Sequence, residues 1–391
     1  MIAKWMRVLA AGLSLCMLVG MTGCNKDAES GSGSETAETS ESTAEAEDII
    51  KVGYIFHDKV EDGGLSAELN DQRLKAASHS SVETCYIDGV SISDFDGAVK
   101  ALADAGCSKI VSASPVYTNA LTTTAGKYMN IDFIGYGARV RSVNIYAYTD
   151  MPYQAAYAAG MAAAYNSSAE KIGVVCDTDM LYAIPVINAA ALGMQLVYED
   201  AELKVAFGTK DDEIQKAITA LKDSGCDVII CYTASREAAN FCESSGIPFI
   251  DSLNHTQDAA EYSNMLMYFY SVRDSFFLAQ FKQMQLDTWE AASYVGTMAN
   301  GVINISDALP AAKDGTQDIV AALVPKIASG QAYIFNGELK DTSGVIRYMR
   351  NDRMDLSEIY DMSWYVLGVE IIENFRQPIS ELTPNSFEIK S

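Results

Sequence analysis

Histidine and positive charge are the scarcest features of this chain of 391 residues. Lys and Arg number 28 against 52 Asp and Glu, which gives a formal net charge of −24. Nucleic-acid-binding surfaces need clustered Lys and Arg, so the charge balance excludes that class of protein. The three histidines, His57, His79 and His255, show neither the i, i+4 nor the H-x-H spacing of a metal site. We therefore expect no bound metal.

The usual catalytic and cofactor-binding motifs are also missing. The sequence contains no G-x-S-x-G motif, the strand-to-helix turn that presents a nucleophilic serine. Asp62-Gly63-Gly64 and Gly135-Tyr136-Gly137 follow apolar runs, but they complete neither a G-x-G-x-x-G motif nor a Walker loop. We interpret both as tight turns at strand ends. The sequence predicts a protein that is not an enzyme and has no cofactor.

The first 48 residues are predicted to lie outside the folded part. Residues 1–23 combine two basic residues, a short apolar core and small residues before Cys24, which is typical of a lipoprotein signal peptide. Lipidation of Cys24, with palmitate as a typical acyl chain, would anchor the chain to the extracytoplasmic face of the cell membrane. An uncleaved hydrophobic anchor is the alternative. Residues 24–48 are acidic and lack aromatic side chains, so we expect a disordered tether.

Six cysteines remain in the part of the chain that is predicted to fold. They are Cys85, Cys107, Cys176, Cys226, Cys231 and Cys242. Most lie in apolar runs such as CDVIICY, where a free cysteine behaves as a small buried hydrophobic residue. We expect free thiols, although an exported chain could instead form a bridge such as Cys226–Cys242.

Two segments of the sequence occur twice. KALADAGCSKIV (100–111) returns as TALKDSGCDVII (219–230), and KVGYIF (51–56) returns as KIGVVC (171–176). Apolar runs after a Lys indicate buried parallel strands, and an Ala- and Leu-rich stretch ending at Gly indicates a helix. The repeat predicts two α/β lobes, each a mostly parallel sheet flanked by helices. We expect 49–148 plus about 264–308 in the first lobe, and 149–263 plus about 309–391 in the second. YIFNGELKDTSGVIRYM is predicted to be a hairpin that turns at DTSG.

Polar and aromatic residues follow most of the predicted strands. The carboxyl ends of parallel strands usually border the ligand site, so these residues are candidates for the lining of a cleft between the lobes. The candidates are Phe56, His57, Asp62, Ser114, Tyr117, Tyr148, Asp177, Tyr232 and Asp251. Rings, hydroxyls and carboxylates suit a neutral ligand with a ring and several donors better than a phosphate. Any one of them could instead be an N-cap or part of a solvated loop.

Six further segments, in this order, resemble the basic membrane lipoprotein (BMP) family, the purine nucleoside receptor-like substrate-binding proteins of ABC transporters. They are MPYQAAYAAGMAAAYNSSAEKIGVV, PVINAAALGMQL, SGCDVIICYTAS, WEAASYVGTMANGVINIS, IASGQAYIFNGELKDTSGVIR and MDLSEIYDMSWYVLGV. The resemblance implies a two-lobed type I periplasmic-binding-protein fold with hinge crossings between the lobes. It also implies a purine nucleoside or related nucleobase-type ligand in the cleft and an ABC permease as partner. We expect a monomer.

The sequence departs from the family in two places. Leu65 and Leu69 stand where relatives carry an aromatic residue and often a His, so Leu65 is predicted to give the ligand apolar contact without stacking. Phe56 or Tyr117 would then have to supply the ring. An expected Trp is replaced by the run from Tyr268 to Tyr270. The ligand can therefore differ from a nucleoside.

Two other functions remain open at this point. A sensing lipoprotein that reports to a membrane regulator would have the same fold and the same cleft. An extracellular enzyme that processes nucleosides would require a base or nucleophile in that cleft.

Overall fold

The computed structural model describes residues 50–62, 64–139, 141–177, 182–252, 259–375 and 387–391. The predicted signal peptide, Cys24 and the tether lie outside the described residues, as does the side chain of Asp62. Asp48–Ser391 form one compact unit. In the described part of the chain, we find no helix with both the length and the apolar character needed to cross a membrane.

The first sheet has six strands, which run parallel in the spatial order β11-β5-β4-β3-β1-β2. Numbered along the chain, they are β1 (Lys51–Ile55), β2 (Glu83–Ile87), β3 (Lys109–Ser112), β4 (Asp132–Tyr136), β5 (Ile145–Asp150) and β11 (Ser293–Gly296). The helices of this layer are α1 (Gly64–Ser78), α2 (Phe95–Asp104), α3 (Thr118–Ala125) and α8 (Asp274–Gln285).

The second sheet has seven strands in the order β12-β10-β9-β8-β6-β7-β15, and only the β10–β12 pair is antiparallel. They are β6 (Lys171–Cys176), β7 (Glu202–Phe207), β8 (Val228–Tyr232), β9 (Phe249–Asp251), β10 (Met265–Ser271), β12 (Ile303–Ile305) and β15 (Val369–Asn374). The helices of this layer are α4 (Tyr153–Asn166), α5 (Ala183–Met194), α6 (Asp211–Asp223), α7 (Glu237–Ser244), α9 (Thr316–Ala328) and α10 (Leu356–Tyr360). Two mostly parallel sheets flanked by helices confirm the predicted α/β fold class.

The repeated segments occupy equivalent places in the two sheets. β1 lies between β2 and β3, and β6 lies between β7 and β8 in the same way. The helices α2 and α6 both end before a glycine in the left-handed region, Gly106 with φ 88° and Gly225 with φ 93°. A side chain at either position would be strained, which explains why glycine recurs there.

Both faces of each sheet are covered, so the strands read as continuous apolar runs. The helices α4 and α5 of the second layer pack unusually closely against each other. A Cβ atom on Gly160 would lie 2.0 Å from the Ala190 carbonyl oxygen, and one on Gly193 would lie 1.9 Å from that of Tyr157. This contact is possible only because both helices carry glycine where they meet.

The predicted lobe boundaries differ from the observed sheets in the returning segment, about 264–308. The apolar run MLMYFYS does not start the first lobe, because it forms β10 and extends the second sheet beyond β9. β12 also pairs in the second sheet. Only α8 and β11 lie with the first sheet. Up to β15, the described chain thus crosses between the sheets three times, after β5, after β10 and after β11. The Met151 N–H donates to the Gly296 carbonyl at 2.8 Å, which joins the first and the third of these crossings.

The end of the chain also differs from its predicted place in the second lobe. Lys390 exchanges two backbone hydrogen bonds of 2.8 Å with Tyr86, on the free edge of β2. Its ammonium pairs with Asp88 at 2.9 Å. Residues 387–391 therefore cover the outer edge of the first sheet, whereas β15 lies at the edge of the second.

The predicted hairpin is confirmed. β13 (Leu339–Lys340) and β14 (Ile346–Tyr348) are antiparallel. The Asp341 N–H donates to the Val345 carbonyl at 2.9 Å, and the Gly344 N–H donates to the Asp341 carbonyl at 2.8 Å, which places the turn at DTSG.

Candidate ligand-binding cleft

A cleft lies where the carboxyl ends of strands from both sheets meet. Its empty space is about 480 Å³, part of it open to solvent. Among the described residues, eleven line it: Leu65 and Glu68 of α1, Tyr136 at the end of β4, Tyr232 at the end of β8, Ser252 after β9, Phe269, Tyr270 and Ser271 of β10, Ile303 of β12, and Pro152 and Arg273 on the crossings.

A buried ion-pair network forms the floor of the cleft. Arg273 is 6% exposed and donates through Nε to Asp150 Oδ2 at 2.7 Å. Its second terminal nitrogen lies 2.7 Å from the same oxygen, and its other terminal nitrogen pairs with Glu68. The Tyr136 hydroxyl also donates to Asp150 Oδ2, at 3.3 Å. Asp150 and Arg273 lie where the crossings after β5 and after β10 begin. The network therefore ties these two crossings to helix α1.

Burial and mutual charge determine the ionisation of this network. Burial raises the pKa of Glu68, as does the charge of Asp150, and the Arg273 guanidinium opposes both effects. Burial alone would lower the pKa of Arg273, but Asp150, Tyr136 and Glu68 raise it well above its usual value. Arg273 therefore keeps its proton and cannot act as a base. Burial also raises the pKa of Tyr232 well above its usual value, so this phenol stays neutral.

This arrangement suits binding of an uncharged polar ring better than binding of a phosphate. With one guanidinium and two carboxyl groups, the network carries no surplus of positive charge. Phosphate sites in proteins are built from Arg, Lys and backbone N–H groups that outweigh the local acidic groups. Within the described ranges, no group of three or more His, Cys, Asp or Glu side chains could hold a metal ion.

Two of the predicted site residues line the cleft. Leu65 is half-buried on the first turn of α1, and Tyr232 is 3% exposed at the end of β8. The Tyr232 ring stacks on that of Phe269, with centroids 6.3 Å apart. The side chain of Asp62 lies outside the described residues.

Three predicted site residues are core residues instead. Phe56 is fully buried between Tyr54 and Tyr86, with ring centroids at 5.9 and 5.7 Å. Tyr117 is also fully buried, and its hydroxyl donates to a backbone carbonyl at 2.5 Å. Neither ring can replace the aromatic residue missing at Leu65.

Tyr148 was expected at the cleft because the chain crosses nearby, but it is fully buried. Its ring packs 4.3 Å from that of Phe276 and stacks on Tyr294 at 5.8 Å. Tyr148 and Asp150 are two positions apart, so their side chains lie on the same face of β5. Asp150 is the last residue of the strand, and it is the one that belongs to the network.

His57 and Ser114 have local structural roles. His57 Nδ1 lies 3.1 Å from the carbonyl oxygen of Val90. The Ser114 hydroxyl accepts from the N–H of Val116 at 3.4 Å and caps a short helical turn. For Ser114, the alternative interpretation as an N-cap is correct.

Asp177 and Asp251 lie at strand ends of the second sheet. Asp177 is 7% exposed, and its Oδ1 accepts from the Thr209 hydroxyl at 3.1 Å. Asp251 is 1% exposed and ends β9, and the next residue, Ser252, lines the cleft. These carboxylates stand beside the cleft lining and are not among the residues that form it.

Several residues of the cleft and its network were not predicted from the sequence, although they follow the same rules as the residues that were. Arg273 follows the end of β10 and Asp150 ends β5, so both obey the rule that strand ends line the cleft. Glu68 lies three positions after Leu65 on α1, which puts the two on one helix face. Phe269 and Tyr270 belong to the aromatic run that replaces the family's Trp, and this substitution was the available signal.

A second set of contacts joins the two layers beside the cleft. The Tyr182 hydroxyl, at the start of α5, lies 2.7 Å from the Thr149 hydroxyl of β5. The Tyr182 ring stacks on Tyr360 of α10 with centroids 4.1 Å apart. Arg139, after β4, pairs with Asp361 after α10. These bonds form only while the layers stay close, so they favour the arrangement seen here.

Comparison with known proteins gives consistent results. Residues 49–239 match the model of a family described as ABC transporter substrate-binding protein PnrA-like. A purine-binding protein of Brucella abortus (strain 2308) is 24% identical over 335 residues, which cover 84% of this chain and 95% of that protein. A solute-binding protein of an ABC transporter system from Aeropyrum pernix K1 has a TM-score of 0.64 at 15% identity, covering 75% of this chain and 93% of that one. A similar protein from Conexibacter woesei DSM 14684 has a TM-score of 0.60 at 16% identity, covering 73% and 98%. These structures confirm the fold.

Proposed function

We propose that this chain is the solute-binding lipoprotein of an ABC importer, because residues 49–239 match the model of the PnrA-like substrate-binding proteins of ABC transporters. We further propose that it binds a purine nucleoside or a related nucleobase-type ligand in the cleft between its two sheets. The relative from Brucella abortus, whose name records purine binding, supports this ligand class.

The composition of the cleft is the observation that carries the ligand proposal. The rings of Tyr232, Phe269 and Tyr270 line the cleft from the second sheet, and Leu65 adds an apolar contact from the first. Aromatic faces bind a planar base in offset stacking. Glu68 and Arg273 add charged groups that can accept from and donate to the edge of a base or the hydroxyls of a ribose.

We infer the role in transport from the crossings that connect the two sheets. A ligand held by residues of both layers favours the form in which the layers are close, because only that form makes all the contacts. The bonds Tyr182–Thr149 and Arg139–Asp361 stabilise the same form. We propose that a membrane permease recognises this closed form and receives the ligand unchanged.

Anchoring at the extracytoplasmic face of the membrane is proposed from the sequence around Cys24. A Cys24→Ala variant tests it directly. We expect the wild-type chain in the membrane fraction, with a lipid on Cys24 detected by mass spectrometry, and the variant without the lipid. An unmodified Cys24 in membrane-associated wild-type protein would contradict the proposal.

A thermal-shift screen of the chain from Asp48 onward tests the ligand class, since Asp48–Ser391 form one compact unit. The panel should contain purine and pyrimidine nucleosides, free bases, sugars and amino acids. A ligand at about a hundred times its Kd adds about 2.7 kcal/mol, or about 4 °C in Tm for a unit of this size.

We expect Tm shifts confined to purines and their nucleosides, with the ligand recovered intact by chromatography. Shifts with sugars or amino acids alone would overturn the purine proposal while leaving a solute-binding function. Conversion of the nucleoside into free base would overturn the binding-only function.

A further inference from the structure

Four of the cysteines form two close pairs. The Sγ atoms of Cys85 and Cys107 are 3.5 Å apart, and those of Cys231 and Cys242 are 3.9 Å apart. A disulfide bond needs about 2.05 Å, so a small displacement separates each pair of thiols from a bond. All four side chains are buried, with Cys85 the most exposed at 5%.

The other two cysteines contact oxygen atoms instead. Cys176 Sγ lies 3.4 Å from the Asp177 carbonyl oxygen, and Cys226 Sγ lies 3.7 Å from the Ser224 hydroxyl. The bridge considered from the sequence, Cys226–Cys242, is therefore not the pairing that the fold favours, because Cys242 faces Cys231. Cys176 and Cys226 provide internal controls within the same molecule.

Each close pair joins two neighbouring elements. Cys85 lies in the edge strand β2, and Cys107 lies between α2 and β3. Cys231 lies in β8, and Cys242 lies in α7. A bond in either pair would thus link elements that already pack together in one layer, without changing the topology.

The two pairs differ in their electrostatic surroundings. The Cys107 hydrogen bond lowers the pKa of Cys85, as do Lys51 and Arg73, against the effects of burial and of Glu83. The pKa of Cys231 is instead raised by its hydrogen bond with Cys242 and by burial, with Asp251 adding to the shift. Cys85 is also the most exposed of the four thiols, at 5%, whereas Cys231 and Cys242 are 0% exposed. The thiolate is the reactive form of a cysteine, so Cys85 is a better nucleophile than Cys231 and is easier for a small compound to reach.

We propose that Cys85–Cys107 and Cys231–Cys242 are two reversible dithiol–disulfide sites that small disulfide compounds oxidise, the first faster than the second. In the first site, the Cys85 thiolate attacks one sulfur of the compound, the S–S bond of the compound breaks, and one thiolate leaves. Cys107 then gives up its proton to solvent and attacks Cys85 Sγ, which releases the second thiolate. Two protein thiols are oxidised and one small disulfide is reduced. This inference is independent of the proposed ligand.

The test uses the folded full-length chain and bis(2-hydroxyethyl) disulfide, a small neutral probe. Samples are quenched with acid over time, alkylated, digested and analysed by mass spectrometry. We expect peptides linked through Cys85–Cys107 first and through Cys231–Cys242 at least several-fold more slowly. Cys176 and Cys226 should be recovered alkylated, and dithiothreitol should reverse both links.

Variants separate this chemistry from loss of folding. In Cys107→Ser, the probe should remain on Cys85 as a mixed disulfide, because no second thiol is in reach. In Cys226→Ser, both links should form at wild-type rates. Circular dichroism of each variant monitors the fold.

A Cys226–Cys242 link in the folded wild-type chain would overturn the proposal. So would the same mixture of links in folded and urea-unfolded chain, since proximity in the fold would then not decide the pairing. All six thiols remaining free in the folded chain, under conditions that fully link the unfolded chain, would overturn it too.

Discussion

Replacement of Arg273 by Met tests the network at the floor of the cleft. Arg273 makes two contacts of 2.7 Å with Asp150, whose side chain is 0% exposed, and it also pairs with Glu68. Met keeps most of the apolar volume but removes the charge. The variant therefore leaves the Asp150 carboxylate buried beside Tyr136 without its cationic partner.

The expected loss follows from the burial of Asp150. Removing one partner of a buried ion pair costs about 3–5 kcal/mol, because the remaining charge can neither pair nor reach water. The unfolding entropy of a unit of this size makes 1 kcal/mol equal to about 1.4 °C in Tm. Arg273→Met should therefore lower Tm by about 4–7 °C. A double variant, Arg273→Met with Asp150→Asn, should recover part of this loss, because the fully buried charge of Asp150 is then removed together with its partner.

Differential scanning calorimetry at neutral pH measures both shifts. The matched control is Lys100→Met, since Lys100 and its partner Asp104 are 66% and 67% exposed and their pairing should not affect Tm measurably. A Tm for Arg273→Met within 1 °C of wild type would refute the reasoning, as would a double variant that is less stable than the single one.

Three further variants test other parts of the account. Burial raises the pKa of Glu68 above the ordinary 4.5, so its contribution to stability is complete below that value and is lost as pH rises through the folded pKa. In urea titrations, the stability of wild type relative to Glu68→Gln should therefore fall as pH rises above 4.5. Tyr182→Phe removes a hydrogen bond of about 1 kcal/mol that favours the closed form, so the ligand affinity measured by calorimetry should fall about fivefold. Tyr165→Phe, which loses a hydrogen bond to Asp314 away from the cleft, should leave the affinity unchanged. Leu65→Phe restores a stacking ring of about 1 kcal/mol and should tighten purine binding about fivefold, with Leu74→Phe, 48% exposed on the same helix, as the control.

The architecture followed from the sequence because it depends on patterns that repeat. The segments around Gly106 and Gly225 determine a helix end and a strand start without help from distant residues, and an apolar run after Lys51 or Lys171 can only be a buried strand. The boundary near Met265 could not be predicted in the same way. An apolar strand fits either sheet, and only its pairing with β9 decides between them.

The cleft was less predictable because its lining depends on how far along its strand each side chain lies and on what packs over it. Tyr148 and Asp150 lie on the same strand near the same crossing, yet one ring packs in the core and one carboxylate meets Arg273. From the sequence, Tyr148 was the residue predicted to line the cleft. Arg273 and Glu68 are 205 positions apart, and no local pattern reveals that they pair. The prediction that Phe56 lines the cleft was wrong for a related reason, because the residue directly after β1 is buried like the strand itself.

Isothermal titration calorimetry with a purine nucleoside on wild type, Tyr270→Leu and Tyr333→Leu tests the central claim most directly. Tyr270 lines the cleft, whereas Tyr333 lines a separate pocket near α9. We expect saturable binding by wild type, an affinity lowered at least about fivefold in Tyr270→Leu through loss of aromatic contact, and an unchanged affinity in Tyr333→Leu. Equal affinity in wild type and Tyr270→Leu, or no binding of any purine by wild-type protein free of carried-over ligand, would contradict the claim that this cleft binds a purine.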